Sequence, residues 1–268
     1  MRPSRLVLLG DPVSHSLSPI FQRAALKTAG IDVSYDVVEV KSLDLPVMLK
    51  GLVRDRAAGN VTLPHKERVA ALCDVRTPLA EKIQSVNTFW TDDHGRLVGD
   101  NTDVGGFSAA VRRLLDREPR GLRVAVLGAG GAAVAVCEAV SLWPESTVAL
   151  HARTRERAEQ LAARYGDIAS TVASELEALE GADLLVNATP LGLEGSMMPV
   201  APGMIPTSVA VMDLTYRRGR TPWVSACRSR GLRAEDGLPM LIEQGALAFE
   251  RWFGVPPDRE AMWSSVRS

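Results

Sequence analysis

Two short polar segments carry residues able to move a proton. Gly59-Asn60-Val61-Thr62-Leu63-Pro64-His65-Lys66 ends in a lysine, and Gly99-Asp100-Asn101-Thr102-Asp103 ends in an aspartate. Reduction of a carbonyl needs a proton donor for the developing alkoxide, and an ammonium held beside a carboxylate can supply it. Downstream stands Gly128-Ala129-Gly130-Gly131-Ala132-Ala133, the kind of loop that holds a dinucleotide hydride carrier. Proton site and hydride site together are the two halves of a carbonyl/alcohol oxidoreduction. For most lysines a solvated surface charge is the better explanation. Lysine is sparse here, however, with none beyond Lys82. Spacing alone leaves both explanations of the Lys66–Asp103 pair open.

The elements that must position these residues alternate between strand and helix. Leu6–Leu9 reads as a short apolar strand broken by Gly10-Asp11-Pro12. Ser18-Pro19 starts a helix, with serine as cap and proline in the first turn, and Gly30 stops it. Tyr35–Val40 alternates as a strand, Leu45–Val53 suits a helix, and Asn60–Leu63 is a third strand ending at Pro64. Helical stretches at Lys66–Cys73 and Pro78–Ile83 precede a hairpin of Val86–Thr91 and Arg96–Val98 around Asp92-Asp93-His94-Gly95. This order predicts a mostly parallel sheet with an antiparallel edge.

After the charged, breaker-rich Asp116–Gly121 a second series begins. Strands are expected at Arg123–Leu127, Thr147–Leu150, Leu184–Asn187 and Val209–Leu214, with helices at Ala132–Trp143 and Arg155–Tyr165. This is the rhythm of a dinucleotide-binding domain. Leu238–Phe253 has helical apolar spacing, and pattern alone does not assign it to either domain.

The glycine loop follows its strand directly and opens a helix. Gly128 permits the tight turn, Gly130 lets the backbone approach a pyrophosphate, and Ala133 keeps helix and strand close. With Ala129, Gly131 and Ala132 they present a helix N-terminus to the phosphates. The next strand selects the cofactor. A carrier without the 2′-phosphate calls for an acid about 20 residues on, but here the strand runs into His151-Ala152-Arg153-Thr154. A guanidinium grips a phosphate bidentately and keeps its charge, so Arg153 and Thr154 point to NADP(H). The structural alternative, a solvated helix start, suits Arg155.

Composition narrows the class. At 268 residues, 46% hydrophobic and 24% charged, the chain can bury the core of one large or two medium domains. Its net charge of −1 gives no electrostatic case for nucleic acid or an acidic membrane. Cys73, Cys137 and Cys227 lack C-x-x-C spacing and read as reduced thiols of a cytoplasmic protein. The histidines, His15, His65, His94 and His151, have no metal-ligand spacing, so no metal is expected. No signal peptide is indicated, and the uncharged Val124–Cys137 is too short to cross a bilayer.

The ordered motifs resemble the shikimate dehydrogenase family nearly end to end. His15-Ser16-Leu17-Ser18-Pro19 resembles the family's serine pair, whose hydroxyls bind the substrate carboxylate. Asn60–Lys66 matches the segment bearing the catalytic lysine, with Thr62 a substrate contact. Val86-Asn87-Thr88 carries the substrate asparagine, and Gly99–Asp103 the catalytic aspartate. Gly128–Ala133 fits the cofactor loop, Arg153-Thr154 with Arg157 the NADP-phosphate grip, and Asn187–Gly192, including Thr189, a cofactor-side loop. Asp213-Leu214-Thr215-Tyr216 carries a substrate tyrosine after Leu214, and Gly237–Gln244 a glycine and a glutamine near nicotinamide and substrate.

The resemblance implies a two-domain α/β fold, with residues 1–103 plus 238–268 as the substrate-binding and catalytic domain and 104–237 as the Rossmann-type NADP-binding domain. The helix near the C-terminus thus returns to the first domain. It also implies reversible reduction of 3-dehydroshikimate to shikimate with NADPH, in a monomer or homodimer with no nucleic-acid or membrane partner. Lys66 and Asp103 are then the catalytic pair, facing a cleft. Ser16, Ser18, Thr62, Asn87 and Gln244 are neutral hydrogen-bonding groups suited to a small polyhydroxylated acid. Each has a structural alternative: Ser18 could cap its helix, Asn87 order the hairpin, and Asn187 and Thr189 shape a turn.

Three departures from the family pattern stand out. Ala152 replaces an asparagine, removing a polar neighbour of the adenosine. Gln84-Ser85 replace Gly-Ala before the Val-Asn-Thr motif. Arg217-Arg218-Gly219-Arg220 replaces a proline-bearing segment, which is expected to leave Tyr216 on a more mobile, more basic loop. Competing assignments are a paralogue acting on quinate or an aminoshikimate, and a non-catalytic nucleotide sensor, against which the retention of Lys66 and Asp103 argues.

Overall fold

A strand with no polar alternation must be covered on both faces, which places it inside a sheet. Leu6–Gly10 (β1) is such a strand, buried at every residue. The computed structural model describes residues 2–193 and 195–267. The chain divides into two units, Met1–Gly106 with Leu241–Ser268, and Phe107–Met240.

In the first unit β1 is followed by Ser18–Thr28 (α1), Tyr35–Glu39 (β2), Leu45–Arg54 (α2), Ala58–Val61 (β3), Lys66–Leu72 (α3), Val75–Arg76 (β4), Pro78–Ile83 (α4), Thr88–Thr91 (β5) and Leu97–Asp100 (β6). The sheet order is β2-β1-β3-β5-β6-β4. Strands β2, β1 and β3 are parallel, β5 runs against both β3 and β6, and β4 pairs parallel with β6. The expected antiparallel edge is therefore corrected: the reversed strand lies inside the sheet. The edge is the two-residue β4, too short for alternation to reveal. The hairpin turns as expected, with Gly95 at φ +74 and Asp92 Oδ1 accepting from the backbone N–H of His94 and Arg96. Val7, Leu9, Leu45, Leu49, Val61, Val69 and Phe89 form the core on one face.

Ser18 does not cap α1. Leu17 holds the cap position and Ser18 is the first helical residue, its N–H donating to Ser16 Oγ at 3.2 Å. Gly30 ends the helix at φ +64 as expected.

Asp103–Leu115 (α5) carries the chain into the second unit. There Arg123–Leu127 (β7), Gly131–Ser141 (α6), Thr147–His151 (β8), Arg155–Ala163 (α7), Ala169–Thr171 (β9), Glu175–Leu179 (α8), Leu184–Asn187 (β10), Ala210–Asp213 (β11), Pro222–Ser229 (α9) and Ala234–Glu235 (β12) alternate. The sheet order is β12-β11-β10-β7-β8-β9, and every pair is parallel. This is the doubly wound architecture that the strand–helix rhythm predicted. Strands β9 and β12 are too short to show a period. Ala125, Leu127, Leu185, Val211 and Trp223 belong to one core, with Trp223 Nε1 donating to Val200 O at 2.8 Å.

Leu238–Phe253 (α10) starts in the second unit and runs into the first, where Arg259–Arg267 (α11) packs on α1. All three cysteines are free. Burial pushes the Cys73 and Cys137 thiols up to about 12 and Cys227 to about 11, which leaves little thiolate to react. No helix among the described residues is long and apolar enough to cross a membrane.

Candidate active site

Strand direction gathers the candidate site residues of the first unit at one end of its sheet. Parallel β1 and β3 pair Leu9 with Val61, so the loops bearing Ser16 and Thr62–Lys66 leave from the same end. Antiparallel β5 begins where its neighbours finish, because Thr88 pairs with both Asn60 and Asp100. Asn87, just before β5, and Asp103, just after β6, therefore meet the segment that follows β3.

Lys66 opens α3 and Asp103 opens α5. Lys66 Nζ donates to Asp103 Oδ2 at 2.6 Å, with the lysine side chain 24% and the aspartate 11% exposed. The other oxygen, Oδ1, accepts from Asn87 Nδ2 at 2.9 Å. Asn87 Nδ2 also lies 3.1 Å from Gln244 Oε1, and Gln244 Nε2 donates to Leu241 O. Four side chains from distant parts of the sequence are thus joined, with the ammonium on the exposed side. A lysine so placed has two further N–H donors for a substrate oxygen.

The start of α5 is held by side chains. A helix N-terminus leaves backbone N–H groups without partners inside the helix. Here the N–H of Asn101, Thr102 and Asp103 donate to Asp100 Oδ1 (2.7 Å), Asn87 Oδ1 (2.7 Å) and Asn101 Oδ1 (3.0 Å). Asn87 hence orders this junction, the structural alternative for this residue, and touches Asp103 as well. Its backbone is held too, since Asn60 Nδ2 donates to Asn87 O and Tyr35 Oη to Asn60 Oδ1. His65 is buried, with Nε2 2.7 Å from Val40 O. A carbonyl only accepts, so Nε2 carries the proton.

Gln84-Ser85 leads into the segment that carries Asn87. Gln84 caps α4 in the left-handed conformation (φ 54, ψ 39), which glycine adopts more readily. Buried Ser85 gives its carbonyl to Asn101 Nδ2 at 3.1 Å.

In the second unit the glycine loop leaves β7, whose neighbours β8 and β10 mark where the strand order reverses. Ligands of such sheets bind at that point. Gly128 has φ +116, and a Cβ there would lie 2.8 Å from Ala188 O. Gly130 caps α6 and Gly131 opens it, and a Cβ at either would meet open space. The first glycine is thus required by the chain itself, while the next two, with Ala129 and Ala132, leave the helix N-terminus clear for a phosphate.

Arg153, Thr154 and Arg157 are exposed beyond β8. Arg155 is taken by Glu159 at 2.8 Å, whereas Arg153 and Arg157 have no ion pair among the described residues. Asn187 Oδ1 accepts from the Thr189 N–H and hydroxyl, so both residues do shape the turn before Pro190. Leu214 and Tyr216 follow β11. A Cβ at Gly237 would lie 2.4 Å from Leu214 O, so close backbone packing alone demands glycine there. Arg217 donates through Nη2 to the carbonyls of Gly192 and Gly195, joining the Tyr216 segment to the Asn187–Gly192 loop.

Sequence reasoning missed Asp100, Asn101 and Arg251 as parts of this network. Asp100 and Asn101 stood inside a recognised motif, but only burial reveals their work: Asp100 is 1% exposed and its carboxylate accepts from Thr77, Asn101 and Arg251.

A glycine loop at the switch point of a doubly wound sheet, in a chain whose other unit holds a lysine–carboxylate pair, fits the class of dinucleotide-dependent oxidoreductases. Residues 8–89 match the model of the shikimate dehydrogenase substrate binding domain, and residues 237–267 that of the shikimate 5'-dehydrogenase C-terminal domain. The chain belongs to the shikimate dehydrogenase family. It is 41% identical over 266 residues to the shikimate dehydrogenase (NADP(+)) of Rubrobacter xylanophilus, covering 95% of this chain and 92% of that protein. The crystal structure of shikimate 5-dehydrogenase from Thermus thermophilus in complex with NADP(H) and shikimate is similar at a TM-score of 0.89 and 38% identity, covering 98% of each chain. Quinate dehydrogenase from Corynebacterium glutamicum in complex with NAD has the same TM-score, 0.89, at 26% identity, again over 98% of both chains.

Proposed function

We infer that this chain catalyses the reversible, NADP-dependent reduction of 3-dehydroshikimate to shikimate. The observation that carries the inference is the 2.6 Å contact between Lys66 Nζ and Asp103 Oδ2 in a member of this family. NADPH, when bound, supplies the hydride that reaches the carbonyl carbon. Lys66 donates one N–H to Asp103 and another to the substrate oxygen. As negative charge grows on that oxygen, the ammonium stabilises it and transfers a proton, so the C=O becomes CH–OH and the lysine becomes neutral. In the reverse direction the neutral amine takes the hydroxyl proton. Asp103, fixed by Asn87, orients the ammonium throughout.

The first unit serves as substrate-binding and catalytic unit, with Ser16 and Ser18 on the substrate carboxylate and Thr62, Asn87 and Gln244 on ring hydroxyls. The family resemblance adds Tyr216 to the substrate contacts. Gly128–Ala132, Thr189, Leu214 and Gly237 would line the cofactor, and Arg153, Thr154 and Arg157 would hold its 2′-phosphate. Arg153 and Arg157 fit that group because no carboxylate among the described residues competes for them. Three free cysteines suit a cytoplasmic setting.

A steady-state assay crossing shikimate and quinate with NADP and NAD tests the function. The expected result is the highest kcat/KM for shikimate with NADP. A preference for quinate would reassign the substrate, and no turnover with any pair would overturn the enzymatic assignment.

A further inference from the structure

A buried carboxylate is costly unless it is paired and hydrogen-bonded. Asp100 is such a group, at the end of β6 and three residues before Asp103. Its Oδ1 accepts from the Thr77 hydroxyl and from the N–H of Asn101, and its Oδ2 accepts from Arg251 Nε at 2.7 Å. The aspartate side chain is 2% exposed, whereas Arg251 is 57% exposed. Arg251 is the cation that offsets this buried charge.

Arg251 lies on α10, about two helical turns beyond Gln244. Residues so spaced share a face of the helix. Both reach the β6–α5 junction: Gln244 Oε1 meets Asn87, which holds Thr102 N–H and Asp103 Oδ1, and Arg251 meets Asp100, which holds Asn101 N–H. Asn101 passes the restraint on, since its Oδ1 accepts the N–H of Asp103. The junction is pinned from α10 at two points, one a neutral hydrogen bond and the other an ion pair.

We propose that Arg251 is a positioning residue for the proton-transfer pair: through Asp100 it fixes the turn that aims Asp103 at Lys66. Arg251 touches no reacting atom in this scheme. The proposal rests on the assignment of Lys66 and Asp103 as the catalytic pair, and an angstrom of misplacement in such a pair is enough to slow the chemistry.

The test compares Arg251→Met, Arg251→Lys and Asp100→Asn with Asp103→Asn and with the double variant Arg251→Met/Asp103→Asn. Arg251→Met should lower kcat by about 10- to 100-fold while changing the KM for shikimate and for NADP by less than about threefold. Arg251→Lys should recover part of the loss, and Asp100→Asn should reproduce it. In the Asp103→Asn background, Arg251→Met should cost nothing further, because the residue it positions is gone. An Arg251→Met enzyme with wild-type kcat would overturn the proposal, as would a full additional loss in the double variant. Should Arg251→Met fail to fold by circular dichroism, Arg251→Lys and Asp100→Asn carry the same comparison, and wild-type kcat in both would overturn it. Wild-type kcat in Asp103→Asn would remove the catalytic-pair assignment itself, a distinct outcome.

Discussion

Asn87 Nδ2 lies 2.9 Å from Asp103 Oδ1, the carboxylate oxygen that Lys66 does not hold. The aspartate is gripped on both oxygens by groups of different kind, one cationic and one neutral. A quarter-turn about its terminal bond would break both contacts, so together they fix the plane of the carboxylate.

Replacing Asn87 with alanine removes the neutral grip and leaves the Thr102 N–H without its acceptor. We expect kcat to fall at least about tenfold and stability to drop by about 1–3 kcal/mol, the usual cost of stranding buried polar groups. Urea unfolding and steady-state kinetics on the same preparation check both. A stability loss with kcat unchanged would leave Asn87 as a hairpin-ordering residue alone.

Lys66→Ala should reduce kcat by roughly 10²–10⁴, the usual weight of general acid–base catalysis, with a smaller effect on the KM for NADP. The kcat of the purified variant decides the matter. Retention of near-wild-type turnover means that another group donates the proton.

For Arg153→Ala the expected change is in cofactor discrimination. Loss of one charge-assisted phosphate contact, worth about 1.5–3 kcal/mol, should raise the KM for NADP about 10- to 100-fold and leave that for NAD nearly unmoved. Parallel titrations of the two cofactors provide the comparison. Equal effects on both would assign Arg153 to the helix start instead.

Asp236 supplies a pH signature. Burial pushes its carboxyl up to about 6, against 3.8 in an ordinary setting, with Glu235 and Asp213 adding repulsion and the Leu238 N–H opposing the rise. Between pH ~4 and ~6 the folded chain therefore binds more protons than the unfolded one, so this group's contribution to stability falls as pH rises through that window. Asp236→Asn should behave like wild type near pH ~4 and be more stable by on the order of 2–3 kcal/mol near pH ~7. Urea midpoints of both proteins at the two pH values make the comparison, and a difference that does not vary with pH would refute the assignment.

Much of this arrangement was legible because it is written in short motifs. A glycine loop between a strand and a helix needs no distant partner to be recognised, and Lys66 and Asp103 each end a segment rich in turn formers. Unrecognised features depend on pairings across long separations. Arg251 meets Asp100 across 151 residues, and an arginine on an amphipathic helix gives no local sign of that. The interior place of β5 is set by a register that links Thr88 to strands on both sides, information that alternation within one segment does not contain. Ser18 illustrates the opposite limit: serine before proline is a sound capping signal, but the chain turns one residue earlier and keeps the Ser18 hydroxyl out of the cap.

The first unit is discontinuous, closed only by Leu241 and the residues that follow, while Phe107–Met240 is one unbroken stretch. During vectorial synthesis the second unit is therefore complete before Gln244 and Arg251 have been added. Domains generally fold as units in the order of their synthesis, yet here the unit that starts first finishes last. The cluster of Lys66, Asn87, Asp103 and Gln244 is thus completed only after the glycine loop of the second unit has been synthesised.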